Sequence, residues 1–113
     1  MMSETHIVLS VYNGCRFISE QLRSIQDQTF QDWRLWIRDD GSTDDTFSVL
    51  EEMAASDHRI FVYPRDGRQL GVSGGFSWLL ERLPDDAREV FCCDADDVWL
   101  PEKIEQSRTA LLN

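Results

Sequence analysis

The chain has 113 residues, 42% of them hydrophobic and 28% charged, a composition that excludes a disordered chain and predicts one soluble domain over residues 1–113. Its formal net charge of −10 excludes a nucleic-acid partner, because binding a phosphate backbone requires a basic surface. No apolar run approaches the ~20 residues of a membrane span, and the N-terminus lacks the basic and apolar regions of a signal peptide.

Segments with the apolar or alternating pattern of strands are separated by segments with helical periodicity. The predicted strands are residues 6–12, 33–38, 59–63 and 89–93. The predicted helices are residues 15–28, a segment after residues 42–45, residues 76–83 and a segment from Pro101. This alternation predicts an α/β fold, with a mostly parallel sheet, helices on both faces and right-handed crossovers.

Two local signals set the expected starts of the middle helices. Ser42 lies three residues before Asp45, which predicts a capping box at the start of the second helix. Residues 64–75 contain four glycines and a proline, so we predict a long loop there and a third helix that begins at Phe76.

Polar clusters follow three of the predicted strands, at residues 10–13, 39–42 and 94–97. In open parallel sheets, ligands bind beyond the carboxyl ends of the strands. The three clusters therefore predict one ligand site at that edge.

The cluster after the last strand contains three carboxylates, which repel one another unless a positive charge neutralises them. Oxygen ligands suit Mg²⁺ or Mn²⁺, and Mg²⁺ usually takes one or two protein carboxylates together with water and substrate phosphates. The alternative interpretation is a solvated acidic turn before the last helix.

Asp39 and Asp40 follow the second strand, where a carboxylate could accept hydrogen bonds from the ring N–H of a base or from ribose hydroxyls. The alternative is an ordinary turn in which Ser42 caps the next helix. Tyr12 could stack on a base or could simply pack. The glycines form neither a dinucleotide-binding fingerprint nor a Walker A motif.

The three cysteines, Cys15, Cys92 and Cys93, have neither disulfide-framework nor zinc-site spacing. Such usage is typical of a reducing compartment, so we expect a cytoplasmic protein. We interpret all three cysteines as buried apolar residues, with Cys92 and Cys93 pointing to opposite faces of a strand.

Four motifs in this order resemble those of family 2 glycosyltransferases of the GT-A fold. They are VLSVYNG at 8–14, QLRSIQDQTF at 21–30, RDDGSTD at 38–44 and DADDVWLPEK at 94–103. The resemblance covers nearly the whole chain and is strongest to bacterial rhamnosyl- and galactosyltransferase-like enzymes of surface polysaccharide synthesis.

The resemblance implies a role for each matching position. Asp94 and Asp96 match the DxD motif, with Asp96 as the metal ligand and Asp94 near the ribose and donor sugar. Asp97 is a candidate sugar contact. The implied nucleotide-binding residues are Ser10, Tyr12, Asp39, Asp40 and Asp94.

The implied reaction is inverting transfer, with Mg²⁺ or Mn²⁺, from a UDP- or dTDP-sugar to a saccharide or lipid-linked acceptor. The resemblance places the acceptor half and the catalytic base beyond Asn113, so this chain would be the N-terminal nucleotide-sugar-binding half, truncated after the DxD motif. We expect it to form a homodimer and its parent enzyme to associate peripherally with the cytoplasmic face of the inner membrane. One departure is Gly75, which stands where many relatives have asparagine.

Two other classes remain as alternatives. One is a non-catalytic nucleotide-binding or interaction module with the same fold. The other is a signalling receiver domain, in which paired acids follow the first strand and a lysine follows the last. Here the acidic pair follows the second strand, and the only lysine, Lys103, is interpreted as a surface helix residue.

Overall fold

The computed structural model describes residues 5–94 and 97–112 of the chain. Its strands are β1 (Thr5–Val11), β2 (Trp33–Asp39), β3 (Ile60–Val62) and β4 (Glu89–Cys93). Its helices are α1 (Ile18–Gln26), α2 (Thr46–Ser56), α3 (Gly71–Glu81) and α4 (Lys103–Leu112). The predicted alternation of strands and helices is confirmed. Within the described residues, no helix has the length and apolar character needed to cross a membrane.

The four strands form one parallel sheet in the order β3-β2-β1-β4. The chain moves outward from β1 to β3 and then returns to the other side of β1, so the strand order reverses between β1 and β4. Val11 pairs with Asp39 and Leu9 with Cys93, which places the ends of these three strands side by side. This reversal is the point where open α/β sheets bind ligands.

One face of the sheet carries the main hydrophobic core. Alternate residues of β1 and β2 point to this face and pack against α1, α2 and α4. The predicted apolar face of α1 is confirmed, since Ile18, Leu22 and Ile25 are all fully buried. The core includes Ile7, Leu9, Val11, Leu35, Ile37, Leu50 and Ile104. Each such side chain stabilises the fold by about 1.5–3 kcal/mol through burial.

The opposite face of the sheet is covered in part by α3. A Cβ atom at Gly75 of α3 would overlap the Ser10 hydroxyl on β1, so the helix lies very close to the strand. Beside this contact, the rings of Tyr63 and Trp78 meet edge to face with centroids 4.8 Å apart. Position 75 therefore has room only for glycine at this distance between α3 and β1, and a larger residue there requires the helix and the strand to lie farther apart.

The prediction that α3 starts at Phe76 is wrong, because the helix begins at Gly71. The carboxylate of Asp40, at the end of β2, accepts hydrogen bonds from the amides of Leu70 (2.8 Å) and Gly71 (3.0 Å). These amides have no partner within the helix, and a carboxylate also suits the positive end of the helix dipole. A side chain 30 residues away in the sequence thus sets the start of the helix.

The predicted capping box at Ser42 and Asp45 is also wrong. The helix α2 begins at Thr46, whose amide donates to Asp44 Oδ1 over 2.9 Å. Hydrogen bonding from the Thr46 hydroxyl lowers the pKa of Asp44 to about 2. Ser42 instead accepts a hydrogen bond from the Asn13 amide (2.8 Å) and donates to Asp39. Its hydroxyl therefore joins two loops rather than capping a helix.

The interpretation of the cysteines holds only for Cys93, which is buried, whereas Cys15 and Cys92 are exposed. Cys92 and Cys93 do point to opposite faces of β4, as predicted. Cys92 is exposed because it lies on the face that α3 covers only in part, and Cys15 is exposed because it lies in the loop between β1 and α1.

Candidate functional site

A small cleft opens where β1 and β2 end and α3 begins. Its volume is about 180 Å³. Three of the predicted nucleotide-binding residues line it, namely Ser10, Tyr12 and Asp40. The other lining residues are Val11, Gly71 and Val72. The two strands are joined at this point by a hydrogen bond of 2.8 Å from the Asp40 amide to the Val11 carbonyl. We call this feature the nucleotide cleft, after the role that the sequence resemblance predicts for its residues.

Tyr12 and Asp40 differ in how firmly the protein holds them. Tyr12 is 46% exposed, which leaves much of its side chain accessible to a ligand. Asp40 is 4% exposed and accepts the two amides at the start of α3, while the buried Arg38 guanidinium lies 3.6 Å away. A carboxylate offers about four lone-pair sites, so Asp40 keeps acceptor capacity for a group in the cleft.

Asp39 lies in a second cleft next to the first, with a volume of about 330 Å³. Asp39 is the last residue of β2 and Asp40 follows it, and the two side chains line different clefts. Asp39 is buried, accepts hydrogen bonds from the amide and hydroxyl of Ser42, and lies 3.2 Å from Arg65 Nε. The two neighbouring carboxylates therefore do not form one joint binding group.

The loops after β1 and β2 are tied together by side-chain hydrogen bonds. Asn13 adopts a positive φ of 50°, and its Oδ1 accepts the Thr43 amide over 2.8 Å. The Gly14 amide donates to Thr46 Oγ1, also over 2.8 Å. Sequence reasoning placed Asn13 in a polar cluster without a role. Its position before Gly14 was a signal for this turn, because asparagine tolerates the left-handed region.

The acidic segment after β4 leaves the sheet beside β1, at the reversal of strand order. Asp94 and Asp97 are both exposed. The Asp97 amide donates to the Asp94 carbonyl over 3.2 Å, and Trp99 Nε1 donates to Asp97 Oδ2 over 3.3 Å. Asp96, the predicted metal ligand, lies outside the described residues. We call residues 94–100, of which the structure describes 94 and 97–100, the acidic loop.

The donor atoms of the acidic loop fit a hard divalent cation. Its exposed carboxylates are oxygen ligands at the carboxyl edge of the sheet, which is the chemistry that Mg²⁺ and Mn²⁺ prefer. In the part of the chain that the structure describes, no group of three or more His, Cys, Asp or Glu side chains could hold a metal ion. A cation that shares its shell with a diphosphate needs only one or two protein carboxylates.

A parallel α/β sheet with polar residues gathered at its carboxyl edge is typical of nucleotide-binding proteins. The model of one family, Glycosyl transferase family 2, matches residues 6–111, and the chain belongs to that family. It is 32% identical over 106 residues to the dTDP-rhamnosyl transferase RfbG of Shigella flexneri. That alignment covers 92% of this chain and 37% of RfbG, so the chain spans little more than a third of this relative's length.

Solved glycosyltransferase structures share the fold. The structure of S. aureus TarS 1–349 in complex with UDP-GlcNAc superposes with a TM-score of 0.79 at 22% identity, covering 96% of this chain and 30% of that one. The mannosyltransferase PcManGT from Pyrobaculum calidifontis, in complex with GDP-Man and Mn²⁺, gives 0.75 at 20% identity over 88% of this chain and 29% of that one. The chain therefore has the GT-A fold that the resemblance implied.

Proposed function

We propose that this chain is the donor-binding part of an inverting, metal-dependent glycosyltransferase of cell-surface polysaccharide synthesis. The observation that carries the proposal is that Ser10, Tyr12 and Asp40 line one cleft at the sheet edge from which Asp94 also emerges. The names of RfbG, a dTDP-rhamnosyl transferase, and of the TarS complex with UDP-GlcNAc support a UDP- or dTDP-sugar donor.

In this proposal the nucleotide cleft holds the base. Tyr12 stacks on its ring, and base–aromatic stacking contributes about 1–3 kcal/mol. Asp40 accepts the ring N–H of uracil or thymine, since an ionised carboxylate only accepts hydrogen bonds. The Ser10 hydroxyl supplies a further polar contact, and Asp39 supports the neighbouring turn through Ser42.

The diphosphate and sugar lie at the acidic loop. Asp96 ligates Mg²⁺ or Mn²⁺, Asp94 lies near the ribose and donor sugar, and Asp97 contacts the sugar. A bound divalent cation offsets the negative charge on the departing nucleoside diphosphate. The Mn²⁺ complex of PcManGT supports this use of a metal. A chain of charge −10 needs such a cation, because its carboxylates otherwise repel the diphosphate.

The transfer step requires groups that we do not assign to this chain. An acceptor hydroxyl attacks the anomeric carbon, a carboxylate base takes its proton, and the nucleoside diphosphate leaves with inversion. The family resemblance implies that this base lies beyond position 113, so we assign donor binding alone to the residues of this chain. The acceptor is a saccharide or a lipid-linked acceptor, which the parent enzyme meets at the cytoplasmic face of the inner membrane.

Calorimetric titration of the 113-residue chain with UDP, in Mn²⁺ and in EDTA, tests the proposal. We expect tighter binding in Mn²⁺, and Asp96→Ala should reduce this gain more than Asp97→Ala does. Tyr12→Ala should weaken binding in both buffers, whereas the control Tyr12→Phe keeps the ring and should bind as the wild type does. Equal affinity in Mn²⁺ and EDTA would rule out metal bridging, and equal binding by both Tyr12 variants would rule out stacking.

We also propose that the 113-residue chain forms a homodimer. In the part of the chain that the structure describes, β4 pairs with β1 alone and leaves its other edge unpaired, and Val90 on this strand is 41% exposed. An unpaired strand edge is a template for another chain. The charge of −10 opposes association, but the Debye length is about 8 Å at physiological salt. Light scattering over a concentration series should show a dimer mass, and a monomer at every concentration would contradict the proposal.

A further inference from the structure

Three polar side chains on or just after α1 face the segment that follows β4. Gln21, Ser24 and Gln28 are spaced at i, i+3 and i+7, which places them on one side of a helix. Gln21 is fully buried and Gln28 is 1% exposed, while Ser24 is half-buried. We call these three residues the α1 polar row. Sequence reasoning gave none of them a role.

Gln21 holds the backbone at the point where the acidic loop leaves the sheet. Its Nε2 donates to the Asp94 carbonyl over 2.5 Å and lies 3.2 Å from Cys93 Sγ. The same carbonyl accepts the Asp97 amide over 3.2 Å. The Asp94 carbonyl therefore accepts one hydrogen bond from α1 and one from the Asp97 amide, which links the helix to both ends of this turn.

Ser24 and Gln28 hold the far end of the acidic loop. The Trp99 amide donates to Ser24 Oγ over 3.0 Å. Gln28 Nε2 donates to the Leu100 carbonyl over 2.7 Å, and Gln28 Oε1 accepts the Ile104 amide over 3.0 Å. The α1 polar row thus binds backbone groups at both ends of this loop and just after it, and Asp94 and Asp97 remain exposed.

Burying an amide costs free energy that an apolar side chain of similar length avoids. Among the residues described, Gln21 Oε1 has no hydrogen-bond partner, so this amide is only partly compensated. Filling the core does not require an amide at this position. What the amide adds is a fixed place for the Asp94 carbonyl, since the hydrogen bond constrains both its distance and its direction.

We propose that Gln21, assisted by Ser24 and Gln28, is a positioning residue that sets where the acidic loop presents its carboxylates to the cation and diphosphate. The inference rests on the proposed function, because that function places the cation and diphosphate at this loop. Groups that orient the ligands of a metal typically change metal affinity by 10–100-fold when they are removed. We therefore expect loss of the Gln21 amide to weaken metal-dependent binding about tenfold.

The test compares Gln21→Met with Gln26→Met in the full 113-residue chain. Methionine keeps the length of glutamine and removes its hydrogen bonds. Gln26 is the matched control, because it lies on the same helix and its Nε2 donates to Asp57 Oδ2, over 3.1 Å, away from the acidic loop. Three quantities are measured: amide hydrogen exchange at Asp97 and Trp99, UDP affinity in Mn²⁺ and in EDTA, and the melting temperature.

For Gln21→Met we expect faster exchange at Asp97 and Trp99 with unchanged exchange in β1. Its UDP affinity should fall about tenfold in Mn²⁺ and stay at the wild-type value in EDTA. Gln26→Met should change neither the exchange of the loop nor the metal-dependent affinity. A purely structural role predicts that loss of affinity follows loss of melting temperature in both variants.

The inference is overturned if Gln21→Met keeps wild-type exchange in the acidic loop, or if it weakens binding equally in Mn²⁺ and EDTA. A wild-type chain that binds UDP equally well with and without Mn²⁺ would instead contradict the proposed function. In that case the exchange rates of Asp97 and Trp99 still decide whether Gln21 positions the loop.

Discussion

The nucleotide cleft and the acidic loop lie side by side at one edge of the sheet, yet the protein supports their carboxylates in opposite ways. In the nucleotide cleft, Asp40 is buried and its carboxylate accepts hydrogen bonds from two amides at the start of α3, with Arg38 close by. In the acidic loop, Asp94 and Asp97 are exposed, and the contacts from the α1 polar row reach the backbone.

The difference follows from what each region is proposed to bind. A base presents fixed donors and a flat ring, so its site benefits from a buried acceptor held in one direction. A hydrated cation with a diphosphate needs carboxylates with oxygen atoms free to serve as ligands, so their support can come mainly from contacts to the backbone that carries them. Substitutions in the two regions should therefore affect stability and binding in different proportions.

The largest effect should come from Asp40→Ala. It removes the acceptor for two amides at the start of α3, and a buried group left without its partner costs about 1–3 kcal/mol. Arg38 keeps its ion pair with Asp66, so we expect the free energy of unfolding to fall by about 3 kcal/mol in urea denaturation from the two amides, together with loss of UDP binding. If Asp40→Ala loses binding while unfolding at the wild-type urea concentration, Asp40 does not hold α3 and the contrast between the regions fails.

Asp94→Ala should weaken UDP binding with little change in stability. Substitutions of exposed residues change stability by about 0.5 kcal/mol or less, so its unfolding should match the wild type. Its UDP affinity in Mn²⁺ should fall about tenfold, in line with loss of a group that supports the metal. The control is Asp86→Ala, which removes the same charge from an exposed residue before β4, at the opposite end of that strand. Equal affinity losses in both variants would attribute the effect to net charge.

The smallest effect concerns pH and the loop next to the nucleotide cleft. The pKa of Asp66 is lowered to about 2, first by the hydrogen bond from the Arg68 amide and then by the side chains of Arg68 and Arg38. A lowered pKa in the folded state means that this contribution to stability is present above the unfolded pKa near 4 and is lost as the pH falls toward 2.

We therefore expect the melting temperature of the wild type to fall more steeply between pH 4 and pH 2 than that of Asp66→Asn, with a difference of a few degrees at most. The variant Asp85→Asn, at an exposed acid in the turn between α3 and β4, serves as the control. Parallel melting curves for the wild type and Asp66→Asn would show that this carboxylate does not stabilise the loop.

Much of the fold could be predicted from local patterns, because side-chain periodicity reports directly which face of a segment is buried. The four strands and the apolar face of α1 followed from this signal alone. The start of α3 did not, since its amides are satisfied by Asp40, which is distant in the sequence. The capping box at Ser42 failed for a related reason, because its hydroxyl is engaged by Asn13 and Asp39.

The sequence by itself determined the alternation of strands and helices, the family, and the set of polar residues that reach one edge of the sheet. These features depend on local periodicity and on motifs in a given order. Only the tertiary structure decided that Asp40 enters the nucleotide cleft while Asp39 faces away from it, and that Gln21 reaches the carbonyl of Asp94. The physical reason is that each of these outcomes depends on contacts between residues distant in the chain, which no local pattern encodes.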